Sequence, residues 1–425
     1  MRRRLLAANA LTCVTLACAT LPGATPAAAD LAQSAVVSAN PVDYTPHVLD
    51  GTVWALAVVG DTVVVGGSFT KIQDSARKLT YTRRNIFAYG LHDGTIRPFA
   101  PAIDAAVYAL APGANDTVYL GGSFKTVNSA TQRGLARLSV ADGARVPGFG
   151  ARINWGDVRA LTARGTKLYA GGTFSAVNGL TRAGLARVDA TSGAVDTGFD
   201  ARLSAPGLSR TRVEHFDLSP DGTRLITVGA LLKVGTVSRT QIAMFDVSGT
   251  AATVTSWYTD AYQPQCMEGF DTYLRQVKFS PDGQWFVVAA TGRTSSPTKL
   301  CDSAARFETG GNGKHNPTWV QRTGGDSLYA VAITGTVVYV GGHQRYLDNP
   351  YGTDDNGPGP GAVSRIGIGA INPTTGKALT WNPTRTRGVG VRAFQVVPHG
   401  LIVGSDTDQL GKEYHGRIGM FPLDQ

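Results

Sequence analysis

Val107-Tyr-Ala-Leu110, then Val118-Tyr-Leu-Gly-Gly-Ser-Phe124, is restated 51 residues later as Val158-Arg-Ala-Leu161 and Leu168-Tyr-Ala-Gly-Gly-Thr-Phe174. Each copy continues into Gly-Leu-Ala-Arg (134–137 and 184–187) and a run closed by Phe149 or Phe199. The opening phrase recurs at Val53, Val107, Val158, Val213, Leu274, Leu328 and Val391, at intervals of 51 to 63 residues. A period of that size marks one supersecondary unit copied along the chain, too small to bury its own apolar face and stabilised by its neighbours.

Within a copy the apolar residues come in short runs rather than helical stripes. Val107–Ala111, Thr117–Leu120, Leu135–Ser139 and the stretch around Val146–Phe149 are four strand-sized pieces bounded by Gly, Asn, Asp and Pro. Asp93-Gly94, Asp142-Gly143, Asp221-Gly222 and Asp282-Gly283 supply hairpin turns. Gly-Gly pairs at 66–67, 121–122, 171–172 and 341–342 end the second strand, where a missing side chain lets neighbouring backbone approach. The expected fold is all-β, a seven-bladed β-propeller of four-stranded antiparallel blades over residues 40–425. The last copy offers only three strands, so the segment Pro41–Leu49 is expected to add the fourth and close the ring, with 30–39 as a loose leader.

The Gly-Gly-Ser-Phe-Thr phrase, Asn128 or Asn178-Gly179 after it, and Arg-Gly-Leu-Ala-Arg resemble the delta-sixty repeat of exported bacterial β-propellers. From Leu328 onward the chain resembles uncharacterised exported propellers of actinobacteria. The resemblance spans nearly all of the chain and implies fold, not activity.

Residues 1–29 read as a secretory signal. Arg2, Arg3 and Arg4 precede an apolar stretch to Leu21, and Ala27-Ala28-Ala29 offers the cleavage site, so the protein is expected outside the cell. The whole chain carries 40 basic and 31 acidic residues; losing three arginines with the signal leaves a mild excess, without a basic run. That composition argues against a nucleic-acid partner, and no later apolar segment is long enough for a membrane span. Cys13 and Cys18 leave with the signal, so Cys266 and Cys301 are expected to form one disulfide.

Candidate ligand residues were sought where copies break their own pattern. Phe69, Phe124 and Phe174 close the Gly-Gly-Ser-Phe phrase, but copy six has His343, Gln344 and Arg345 there, and copy seven has Asp406 and Asp408. Glu413 and His415 follow in the same loop. With Tyr346, Asp348, Trp381, Arg385 and Arg387 they are expected to form a polar, aromatic-lined pocket on the rim carrying the long loops of blades five to seven. By contrast, an arginine before the third strand of six copies (Arg84, Arg133, Arg182, Arg239, Arg365, Arg417) reads as a structural device. No cofactor is expected. Asp348, Asp354, Asp355 and Asn356 only superficially resemble a calcium loop, and their spacing departs from the twelve-residue pattern. His343 and His415 lack the close ligand spacing of a metal site.

The expected function is a secreted binding module, lectin-like, recognising an extracellular glycan or a secreted protein partner. Planar rings and hydroxyl-binding carboxylates suit sugars. One alternative is a glycan hydrolase or lyase using the acids and histidines of blades six and seven. Another is the targeting subunit of a larger secreted assembly.

Overall fold

A computed structural model describes residues 31–294, 296–353 and 357–423. The expected signal peptide, and Asp354, Asp355 and Asn356 of the calcium reading, lie outside them. Among the described residues every regular element is a strand, and no helix is long and apolar enough to cross a membrane.

The long strands make seven antiparallel sheets, each a meander in sequence order. Sheet two is typical: Val107–Gly113 pairs with Thr117–Gly122, which pairs with Leu135–Ser139. Four full strands occur only in sheets four and five. Elsewhere the expected fourth strand shrinks to single bridges, Tyr89 to Ile96, Leu138 to Arg145, Val188 to Val195 and Ile371 to Ala378. Pro98 and Pro147 sit just beyond two of these bridges, and a residue without an N–H cannot extend a ladder. The phenylalanine-ended run is a buried plug rather than a strand: Phe99, Phe149, Phe199 and, in the same slot, Trp257 and Trp381 are all in the core.

The Gly-Gly pairs answer to packing, as expected. A Cβ on Gly66, Gly121, Gly171 or Gly341 would lie 2.8, 2.6, 2.7 or 2.5 Å from Val107, Val158, Phe216 or Val391 of the following sheet. The second glycine of each pair faces its own first strand, where a Cβ would run into the carbonyl oxygens of Thr52, Ala106, Asp157 and Ser327. Gly404 of the last sheet stands in the same relation to the first, 2.5 Å from Val53. Valine at Gly404 is therefore expected to destabilise by about 1–3 kcal/mol, as overpacking does, and to match Gly121→Val in chemical denaturation. An unaffected midpoint would mean that the last and first sheets do not meet.

Between second and third strands the copies carry small hairpins, such as Ala176–Val177 with Leu180–Thr181, turned by Asn178 and Gly179 at φ 49° and 83°. These hairpins meet the segment entering their own sheet, through Ile103 to Val127, Ile153 to Val177 and Arg385 to Leu410. Both kinds of loop thus share one face.

The N-terminal segment joins this arrangement at two places. His47–Val48 pairs with Ile72 and Gln73 of the first small hairpin rather than adding a strand to the last sheet. Upstream, Ser38 and Val42 donate amides to the carbonyls of Pro422 and Met420, in the third strand of sheet seven, at 2.7 and 2.9 Å. Pro41 lies between them and cannot donate, so the contact stays short of a ladder. The stretch expected as a loose leader is also held: Gln33 donates to the carbonyls of Val397 and Gly400, and Val37 is buried.

The repeated arginine is structural, but in copy one it sits one residue earlier than read from the sequence, and in copy two a glutamine holds the place. Arg83, Arg182, Arg239 and Arg365 each donate to the carbonyl of the preceding residue. The last three also reach the carbonyls of Thr197, Thr255 and Leu379, tying down the segment after the third strand. Gln132 takes the place in copy two and donates to the Ala151 carbonyl.

Candidate ligand-binding channel

On the loop-bearing face, the structure brings five of the sequence-derived candidates into one network. Asp326, almost wholly buried, accepts two bonds from Arg345 (2.8 and 3.2 Å) and one from Arg387 (2.8 Å). Arg387 also donates to the His343 carbonyl, and the His343 Nδ1 lies 2.5 Å from the Gly388 carbonyl. Asp406 accepts from Arg385 at 3.0 Å and from the amides of Val389 and Gly390. Burial pushes the Asp406 carboxyl up, but these amide and guanidinium donors outweigh it and hold it below the usual carboxylate range. A carboxyl kept ionised in this way is no proton donor, which does not suit the acid half of a glycosidase pair.

The other candidates lie apart. Tyr346 pairs with Ser364 in a small hairpin. Asp348 accepts from Gln321 and the Ala378 amide, on the side toward sheet five. Gln344 fills the slot that Phe124 fills in copy two and is fully buried. Trp381, expected to offer a stacking face to sugar, is buried with its ring edge-on to Tyr339 and Phe421, both at 5.3 Å. Asp408 is exposed. His415 is buried beside Thr45 and 3.5 Å from Glu413, on the seam with the N-terminal segment. No group of metal-ligating side chains occurs among the described residues. The disulfide is present, joining Cys266 and Cys301 with Cα atoms 5.6 Å apart.

A second concavity lies apart from these loops. First strands from all seven sheets line a cavity of about 610 Å³. Its wall was written in the repeated phrase itself, at the position after the leading Val or Leu: Trp54, Tyr108, Arg159, Glu214, Arg275, Tyr329 and Arg392. In the first six sheets the strand register slips at this very residue, as between Val158 and Ala160, leaving it outside the ladder. A bulge re-aims the extra side chain, here toward the cavity. Sequence comparison of the copies treats a variable position as noise, although an amino acid that varies inside a fixed frame is the signal for a wall of mixed chemistry.

Charges on this wall are unevenly balanced. Glu214 accepts from Arg159 at 2.5 Å and forms an ion pair with Arg212 at 2.7 Å. Burial raises its carboxyl, yet Arg159, Arg275 and Arg212 outweigh that and hold it ionised. Arg392 stacks its guanidinium over Tyr329 at 3.7 Å and over Trp54 at 5.0 Å, and Trp54 meets Tyr108 edge-on at 5.7 Å. Deeper in, His215 is wholly enclosed and burial lowers it to about 3, so it stays neutral.

Comparison with known proteins agrees with this geometry. Residues 167–199 match the family model described as a domain of unknown function (DUF5122) beta-propeller. No curated protein matches the sequence. Among solved structures the chain is similar to the WD40 beta propeller domain of Doa1, at 9% identity and TM-score 0.52, covering 91% of this chain and 97% of that one. It is similarly close to the Cps50 (Swd1) beta-propeller domain of Myceliophteria thermophila, at 10% identity and TM-score 0.52, covering 89% and 99%. The protein is a β-propeller. Likeness at such identity speaks to fold alone, and function has to be argued from the site.

Proposed function

We propose that the seven sheets are the blades of a closed seven-bladed propeller, exported from the cell, that binds an extracellular carbohydrate at the mouth of its axial channel. The fit of Gly404 against Val53 and the amides that Ser38 and Val42 lend to the last sheet support closure. The arginine-flanked start and Ala27-Ala28-Ala29 support export.

The observation that carries the binding reading is the bulge-borne ring of aromatic and charged side chains around the cavity. Its volume falls in the range of small-ligand sites, about 300–1,000 Å³, whereas a stable protein partner needs a broad surface of roughly 800 Å² a side. The rim arginines and acids expected to make the site are instead occupied with one another. Their role is to fix the loops that surround the mouth.

A glycan array with wild type and a Trp54→Ala, Tyr108→Ala variant tests this. Loss of the ring faces is expected to weaken retention roughly tenfold with the thermal midpoint little changed, because both side chains stand at the cavity rather than in the core. Unaltered retention in the variant, or no glycan retained by the wild type, would rule the channel out as a saccharide site.

A further inference from the structure

We infer that the group recognised at the channel mouth is a carboxylate carried on a sugar ring, seated between Arg275 and Arg392 with the ring against Trp54 and Tyr108. This rests on the reading of the mouth as a saccharide site and adds the charge and orientation of the ligand.

Following the sheets in order divides the ring into two arcs. In sheets three and four, Arg159 and Arg212 both bind Glu214 and each lies near a further carboxylate, Asp157 at 3.7 Å and Asp271 at 3.8 Å, so that arc carries its own counter-charge. In sheets five to seven, Arg275 and Arg392 flank Tyr329. Arg275 spends one nitrogen on the carbonyls of Thr272 and Leu274, at 3.2 and 3.0 Å. Neither arginine has a carboxylate within 4.0 Å among the described residues. Arg392 is held by ring faces and by Tyr329 instead, and its buried Nε has no hydrogen-bond partner among the described residues, which leaves part of its edge for an in-plane acceptor. Lys278, also on the wall, faces Asp217 at 3.6 Å, so the lining cations without a carboxylate within 4.0 Å among the described residues are Arg275 and Arg392.

Such an excess is costly in a half-enclosed channel. A guanidinium cannot shed its proton in a protein, so the mismatch is relieved only by an anion. Burial lowers the proton affinity of both Arg275 and Arg392, and the more distant charges of Glu214 and Asp406 offset it only in part. Two forked donors on either side of one tyrosine suit a planar, bidentate acceptor. Trp54 and Tyr108 continue the same arc beyond Arg392 and offer apolar surface to the C–H face of a pyranose. A free oxyanion would use the arginines but not these rings.

Calorimetric titration of the whole chain with trigalacturonate, with neutral maltotriose and with sodium sulfate decides the matter. Trigalacturonate is expected to bind at least about tenfold more tightly than maltotriose, with the gap closing as salt is raised and in Arg275→Gln. Arg275→Lys keeps the charge without the fork and is expected to lose part of the gap; it also serves if the glutamine variant does not fold. Equal affinity for the two saccharides, with both weakened by Trp54→Ala, overturns the carboxylate and leaves the saccharide site standing. Sulfate displacing trigalacturonate at equal concentration also overturns it, since the rings would then contribute nothing. If neither saccharide binds, the inference and the reading beneath it fall together.

Discussion

Trp381→Ala is expected to lower stability by about 3–5 kcal/mol and to leave affinity at the channel unchanged in molecules that remain folded. The indole is buried, packed edge-on between Tyr339 and Phe421, and its N–H is donated to the Ser38 carbonyl at 3.0 Å. Truncation would open a cavity between sheets six and seven and release the segment that leans on the last strand. The two roles proposed for a tryptophan on this side of the molecule separate cleanly in experiment. A sugar-stacking ring loses binding and keeps its melting point; a plug does the reverse. Urea denaturation of the variant beside a binding titration checks both, and a wild-type midpoint would show that Trp381 is not a plug.

Removing the disulfide is expected to be nearly as damaging. Cys266 and Cys301 are 35 residues apart, and chain-entropy arguments put the loss on cutting such a loop at roughly 4 kcal/mol. Both cysteines are buried, and a Cβ on Gly292 would already crowd their side chains, 2.7 Å from the Cys301 Cβ and 3.1 Å from the Cys266 sulfur. The bridge fixes the loop that leads to Thr272, whose carbonyl accepts from Arg275. Cys266→Ser with Cys301→Ser should therefore weaken ligand affinity as well as shift the denaturant midpoint. A shift below about 1 kcal/mol would mean that other ties, such as Lys299 to the Gln265 carbonyl at 2.7 Å, hold the loops unaided.

How much of this was legible in the chain depended on whether a feature repeats. Gly-Gly repeats because each sheet presses on the next, so packing could be read from one copy and checked in the others. The cysteine pair was legible because so few are present. The fourth strand was over-read, since the apolar run around Val146 resembles a strand until Pro147 is asked for a hydrogen bond. Arg84 and Arg133 precede the third strand as the repeated arginine does, but the structural counterparts are Arg83 and Gln132, one residue earlier. The rim candidates depart from the pattern, but departures in neighbouring copies compensate one another. Asp326 gives no sign in sequence of holding both Arg345 and Arg387. The ring around the channel is hidden for the opposite reason, being the most variable letter inside the most regular phrase.

The short contact of Ser38 and Val42 with the final strand has a consequence for how the molecule is made. Their carbonyl acceptors belong to Pro422 and Met420, in the strand that completes sheet seven. Translation runs from the amino end, so these two amides are made before all seven sheets and are satisfied only by water until the last of them is in place. Folding can proceed sheet by sheet in the meantime, but the contact between this early segment and sheet seven is a late event. A chain stopped short of Met420 would leave both amides without these acceptors.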